Sequence, residues 1–430
     1  MRPIGLSMLL VSLVTRTALA GNDDVVLLGS QAVLTGGAVT AVVSDGTAAW
    51  YNPAGVAHSS RSRLDLSGSV YGLNLYKVTP LFVLPDGSSA DAKFADWILV
   101  PSVLSFTREL DEDLVFSFGI FIPRTNDFEL HTAVTRELGQ TFGATLATVL
   151  NEYDYTLTLA VRSGPKLRLG ATLAGVYLSR RDFVQVAAGT PGVPGEAFYT
   201  GSSYTTESDY GARLTLGLQW EPTPDWALGV SVQGPMFTGW SSVARTVAQG
   251  AADPGATSSA FTLDGQQGNV AVWDLTTPAR LRAGVSYQLG ATQLLLDADV
   301  SMPFSVPEEL PDTFSDRDWV GNARVGVLHA VSPALTAGAG LFTDLSGKKQ
   351  FKTQFAGVAF GIQLNTDHTV DEKTRDLTFS TTLGGRYAFG WGDLPGVEIV
   401  RDGNGFAQRP IGAPVTVHEL AFNLGAGVNF

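Results

Sequence analysis

The chain has 430 residues, 28 of them basic and 41 acidic, for a net charge of −13, with 48 glycines and no cysteine. The acidic balance argues against a nucleic-acid partner, which needs a basic face for the phosphates. The missing cysteines exclude a disulfide framework, and the length alone would allow two or three soluble domains.

Residues 1–20 read as a secretory signal peptide. Arg2 supplies a positive start, Ile4 to Val14 is mostly apolar, and Ala18-Leu19-Ala20 forms a small-residue cleavage site. The apolar run is too short to span a bilayer. Removal of this segment leaves 26 basic and 41 acidic residues, a net charge of −15. No later stretch approaches the roughly eighteen consecutive apolar residues of a membrane helix. Glycine makes up about 11% of the chain, against roughly 7% on average. Glycine suits tight turns, strand kinks and close backbone approach.

Residues 21–61 precede the first strand-like segment. They hold Gly36-Gly37-Ala38 and, from Ser44, a small-residue stretch ending in Asn52-Pro53-Ala54-Gly55. Asn-Pro taken alone is a turn signal.

Period-two alternation then recurs to the C-terminus. Tyr153, Tyr155, Leu157, Leu159 and Val161 alternate with Glu152, Asp154, Thr156 and Thr158. Leu214, Leu216, Leu218 and Trp220 alternate with Arg213, Thr215, Gly217 and Gln219. The last run, 416–430, puts Thr416, His418, Leu420, Phe422, Leu424, Ala426, Val428 and Phe430 on one face and small or polar residues on the other. Such alternation describes strands whose two faces meet different solvents.

Fourteen segments are expected: 64–78, 97–108, 114–124, 151–162, 166–179, 210–221, 225–238, 279–289, 292–302, 319–330, 334–343, 354–364, 377–390 and 416–430. Their connections alternate long (79–96, 125–150, 180–209, 239–278, 303–318) and short (109–113, 163–165, 222–224, 290–291, 331–333). Connection 365–376 breaks the rule by being long and polar. Strands near ten residues, long loops on one side and short turns on the other describe a transmembrane barrel. Seven of the eight tryptophans (Trp97, Trp220, Trp226, Trp240, Trp273, Trp319 and Trp391) fall near strand ends, as interfacial girdles require. The expected fold is all-β: a transmembrane antiparallel barrel of about 14 strands over 62–430, with residues 21–61 as a hatch in its lumen.

With its leader, motif-bearing segment, strand series and terminal phenylalanine, the chain resembles the FadL/TodX family of outer-membrane transporters for long-chain fatty acids and aromatic hydrocarbons. The family's hatch motif falls on Asn52, Pro53 and Ala54, followed here by Gly55. The resemblance implies a bacterial outer-membrane protein, monomeric and surrounded by lipid, that takes up hydrophobic small molecules passively. Capture in a lumenal pocket, hatch movement and lateral exit through a kink in the third strand would carry the ligand. In that strand Gly119 permits a kink and Pro123 removes a ladder hydrogen bond. Phe121 shares the inward face of Gly119. Val25, Val26, Leu27 and Leu28 are the candidate hatch contacts with ligand. Helical extracellular loops accompany the fold in the family; Gly189 to Gly195 departs from that, whereas 131–150 could form a helix.

Arg280 and Arg282 share the inward face of one strand, and Asp297 and Asp299 that of its hairpin neighbour. Lumenal ion pairs that anchor the hatch or stiffen the wall are expected there. Enzyme motifs are missing: there is no G-x-S-x-G, H-E-x-x-H or phosphate loop, and the five histidines are scattered. No cofactor or metal is expected. The alternative reading is a non-transporting barrel that serves as docking partner for an export or assembly machine.

Overall fold

The computed structural model describes residues 27–83, 87, 89–135, 141–189, 198–252, 260–270, 274–305, 316–349, 352–368, 377–402 and 405–430. The expected leader and the candidate contacts Val25 and Val26 lie outside these. Among the described residues seventeen strands form one sheet that closes on itself. They are β1 (Arg63–Val83), β2 (Ser89–Glu109), β3 (Leu114–Thr135), β4 (Thr141–Ser163), β5 (Leu167–Gly189) and β6 (Phe198–Thr223). Then come β7 (Trp226–Gln233), β8 (Phe237–Ala252), β9 (Ala260–Val270), β10 (Asp274–Leu275) and β11 (Arg280–Leu289). Last are β12 (Thr292–Ser301), β13 (Val320–Ser332), β14 (Leu335–Asp344), β15 (Thr353–His368), β16 (Leu377–Asp402) and β17 (Gly405–Asn429). β7 and β8 both pair with β6 and make one stave; β9, β10 and β11 pair along β8 and β7 and make the next. The result is a closed antiparallel barrel of fourteen staves. β1 and β17 close it, from Arg63–Asn429 to Val78–Val415.

The alternation sorts side chains as a barrel requires. On β4, Tyr155, Leu157, Leu159 and Val161 are exposed on the outer wall, while Glu152, Asp154, Thr156 and Thr158 are buried inside. β17 does the same with Leu420, Phe422 and Leu424 outside. Tyr153, Tyr177 and Tyr210 stack across β4, β5 and β6, and Trp226 meets Tyr287 with centroids 4.7 Å apart. Along β6 the outward aromatics Tyr210 and Trp220 bracket Leu214 and Leu216. That interval is about 33 Å of strand at roughly 3.3 Å per residue. At a tilt near 40° it stands about 25 Å tall, the height of a bilayer's apolar band.

The staves run well past that belt at one end. Residues 125–150 and 180–209, expected as loops, continue their strands: β3 pairs with β4 up to Thr135–Thr141, and β5 with β6 up to Gly189–Phe198. Residues 239–252 and 260–270 form a further hairpin of β8 and β9. The helix allowed for 131–150 is therefore corrected to strand, outside the undescribed 136–140. The opposite end has the short turns at 110–113, 164–166, 224–225, 290–291 and 333–334. β15 reaches His368, so the polar connection shortens to 369–376, outside the described residues.

Residues 27–62 run through the barrel's interior. They contain two short helices, α1 (Ser30–Thr35) and α2 (Ala48–Tyr51), and a 3₁₀ turn (Pro53–His58). α1 lies against the wall at β13–β17 and the 3₁₀ turn against β3–β6, on the other side. α1 ends on Gly36 in the left-handed region, where a Cβ would also press on the Gly340 backbone at 3.1 Å.

Candidate functional site

The Asn52-Pro53-Ala54-Gly55 motif holds the plug to the wall. Asn52 Nδ2 donates to Thr40 O (2.8 Å) within the plug and to Leu218 O (2.9 Å) on β6. Its Oδ1 accepts the Ala54 amide at 3.2 Å and caps the 3₁₀ turn. Two donors and an acceptor on one short side chain are an asparagine property; aspartate would forfeit both donor bonds. Pro53 fills the first helical position, where no N–H is needed. Ala54 and Gly55 are buried, and a Cβ on Gly55 would overlap Val43 O.

The wall answers with glycines. A Cβ on Gly170 or Gly217 would overlap Pro53 or Asn52; one on Gly229, Thr40; and one on Gly326 or Gly340, Thr35. Much of the unusual glycine content thus forms a girdle that lets plug backbone reach barrel backbone.

Charged residues lock the same contact. Asp297 Oδ2 accepts the amides of Val39 (2.8 Å) and Thr40 (2.7 Å). Arg282 donates to Trp50 O at 3.1 Å and lies over the Trp50 and Tyr51 rings. Arg213 stands 5.0 Å over Trp50 and pairs with both Glu152 and Asp154, and Arg124 completes that group through Glu152. At the short-turn end Arg162 donates to Ala57 O (2.8 Å) and pairs with Glu109 at 2.7 Å. His58 Nε2 donates to Gln219 Oε1 at 2.9 Å. Burial, and then the positive charge of Arg168, holds the His58 imidazole below its usual pKa.

The four residues expected to pair in the lumen, Arg280, Arg282, Asp297 and Asp299, are all buried on two neighbouring strands. Arg282 and Asp299 are register partners, but Arg282 turns to the plug and Asp299 pairs closely with Arg324 of β13. Arg280 Nε lies 3.8 Å from Asp299 and 3.2 Å from Ser301 Oγ. Arg324, Arg213 and Arg162 were missed as anchors, although inward parity marked Arg213 together with Glu152 and Asp154.

Beyond the plug, toward the hairpin end, the lumen fills with apolar side chains. Leu81 and Phe82 of β1, Leu130 of β3, Phe342 of β14, Phe355 of β15 and Leu394 of β16 belong to one buried cluster. Leu27 and Leu28 belong to the plug's own cluster, together with Phe121, Val103 and Val115.

The wall between β2 and β3 is incomplete beside this region. Their ladder runs from Glu109–Val115 to Val103–Phe121 and stops there among the described residues, although both strands continue for more than ten residues. At that point β3 changes register against β4 between Phe121 and Arg124, across Pro123. The extra residue reverses the facing: Phe121 points inward, and so do Arg124 and Leu130 beyond it. Gly119 is buried against Phe121, whose ring a Cβ there would meet at 2.7 Å. Near its end the ladder carries Leu104 and Phe118 exposed on the outer wall. The opening therefore begins within the belt.

These features define a transmembrane β-barrel with a plugged lumen and an interrupted wall. No family model matches the chain, and no curated protein matches it in sequence. Solved structures do match in fold. A Pseudomonas aeruginosa FadL homologue superposes with a TM-score of 0.64 at 13% identity, over 95% of this chain and all of that one. The P. putida toluene transporter TodX gives 0.57 at 16% identity, over 94% and 98%. The monoaromatic hydrocarbon channel CymD gives 0.54 at 12%, over 94% and 98%. The chain has the FadL/TodX barrel fold.

Proposed function

We propose that the protein is a bacterial outer-membrane channel for passive uptake of hydrophobic small molecules. The observation that carries this is the end of the β2–β3 ladder at Val103–Phe121, beside an apolar lumen and above a plug. A hydrophobic ligand gains about 25 cal/mol per Å² of apolar surface removed from water. It would collect among Leu81, Phe82, Leu130 and Phe355. The plug blocks the straight path, so the ligand leaves sideways into lipid between β2 and β3. A shift of the plug near Leu27 and Leu28 would make room for it. The relatives in fold include a toluene transporter and a monoaromatic hydrocarbon channel, which favours compact apolar ligands; long-chain fatty acids are the second class to test. No helix among the described residues is long and apolar enough to cross a membrane.

The test is ligand transfer into liposomes that hold the purified barrel. A small aromatic hydrocarbon and a long-chain fatty acid would be followed for wild type, Gly119→Val and a Gly21–Ser60 deletion. Uptake above empty liposomes that falls in Gly119→Val supports the reading. A folded wild-type barrel that moves neither ligand would overturn it for both classes.

A further inference from the structure

The outer wall beside the gap carries an unexplained pair of charges. Lys77 of β1 and Lys93 of β2 are register partners, both exposed on the barrel's exterior. Like charges directly opposite destabilise a strand pair, so the arrangement calls for an anion between them. Among the described residues neither lysine has an ion-pair partner. Asp91 and Asp393, the acidic residues exposed nearby on the same face, stand one rung farther from the apolar belt.

Register fixes where the pair sits. Lys93, Lys77, Thr416 and Trp391 form one continuous row across β2, β1, β17 and β16, and Trp391 is exposed outward. The row directly beneath it is Ala95, Leu75, His418 and Phe389. His418 Nδ1 and Tyr387 Oη share a hydrogen bond at 2.9 Å. Leu75 and Ala95 therefore lie just below the lysines, and Phe389 and Trp391 stand on the same two rows. That is the boundary between belt and headgroups, where tryptophan and tyrosine collect and lysine meets anionic lipid.

We infer that Lys77 and Lys93 form a binding site for the phosphate of an anionic lipid headgroup, one with no cation of its own to neutralise it. Thr416 offers a further hydroxyl donor, and the acyl chains lie down the wall past Leu75 and Phe389. A soluble anion would gain nothing from the apolar row beneath. The site does not depend on the transport reading.

The test is lipid retention by the full barrel in zwitterionic detergent, read by native mass spectrometry. A phosphatidic acid and a phosphatidylcholine would be titrated separately, into wild type, a Lys77→Gln/Lys93→Gln variant and a Lys166→Gln control at the short-turn end. Circular dichroism would check the fold of each. Near an anionic surface each lysine is worth roughly a fivefold change in binding, so the double variant should hold phosphatidic acid roughly 25-fold more weakly. Phosphatidylcholine should be indifferent to all three forms, and excess inorganic phosphate should not displace the bound lipid. Equal retention of phosphatidic acid by the folded double variant would overturn the site. Equal retention of both lipids by wild type, or displacement by inorganic phosphate, would overturn its assignment to an anionic lipid headgroup.

Discussion

Replacing Asp297 with alanine should release the middle of the plug and leave the barrel closed. The carboxylate accepts two buried backbone amides, Val39 and Thr40, at 2.8 and 2.7 Å. Hydrogen bonds to a charged acceptor are worth roughly 1.5–3 kcal/mol each. Their loss therefore lowers the local opening free energy of this segment by about 3–6 kcal/mol. Each 1.4 kcal/mol is a factor of ten, so amide exchange at Val39 and Thr40 should speed up by roughly 10² to 10⁴. The ladder of β12 is untouched by the change, so amides such as those of β16 and β17 should keep their protection. Hydrogen exchange read by mass spectrometry on the micelle-bound protein reports both regions in one experiment. Unchanged exchange over residues 38–43 in a folded Asp297→Ala barrel would refute the claim that this carboxylate anchors the plug.

Other outcomes follow from the same geometry. Gly217→Val places a side chain where Asn52 Oδ1 now lies and 2.8 Å from the Pro53 ring. Overpacking of this kind costs about 1–3 kcal/mol, and limited proteolysis should cut residues 40–60 faster than in wild type. Trp50→Ala removes a buried ring held between Arg213 and Arg282, and a large aromatic lost from a core costs about 3–5 kcal/mol; a lowered denaturant midpoint for plug release should record it. His58 has a folded pKa below its unfolded value, so the unfolded segment binds the proton more readily. Docking at this end should be independent of pH above about 6.5 and weaken as pH falls below it. Protection factors over residues 55–60, which correct for the pH dependence of intrinsic exchange, should fall on acidification in wild type, and less so in His58→Gln.

The sequence showed the barrel because the belt imposes one rule on every stave. Wherever a strand has lipid on one side, as at Leu157 or Leu216, its parity is plain. Past the belt that rule lapses. The outward residues of 125–135 and 141–150 no longer face lipid, so Glu129 and His131 are exposed there and bond to each other. The alanine- and leucine-bearing 131–150 then passes for helix, and only the pairing of β3 with β4 and of β4 with β5 makes its described residues strand. Asn52 was legible as a motif, but its partner Leu218 O and the glycines facing it are 118 or more positions distant in the chain. Asp299 was placed inward, and it pairs closely with Arg324 on the other flanking strand as well as lying 3.8 Å from Arg280. Parity states which face a residue takes, and leaves open which of two flanking strands supplies its partner. The register change at Pro123 was foreseeable as an irregularity, whereas the loss of pairing between β2 and β3 depends on both strands at once.

Closing the wall gap tests lateral exit most directly. The chain has no cysteine, so Ser102→Cys with Ile122→Cys introduces a unique pair one step beyond the last rung, Val103–Phe121. A flexible, reducible crosslinker would join them in the folded barrel, followed by liposome uptake of an aromatic hydrocarbon. Lateral exit predicts that uptake falls toward the empty-liposome level when the pair is linked and returns on reduction. Equal uptake by the linked and reduced forms would contradict it.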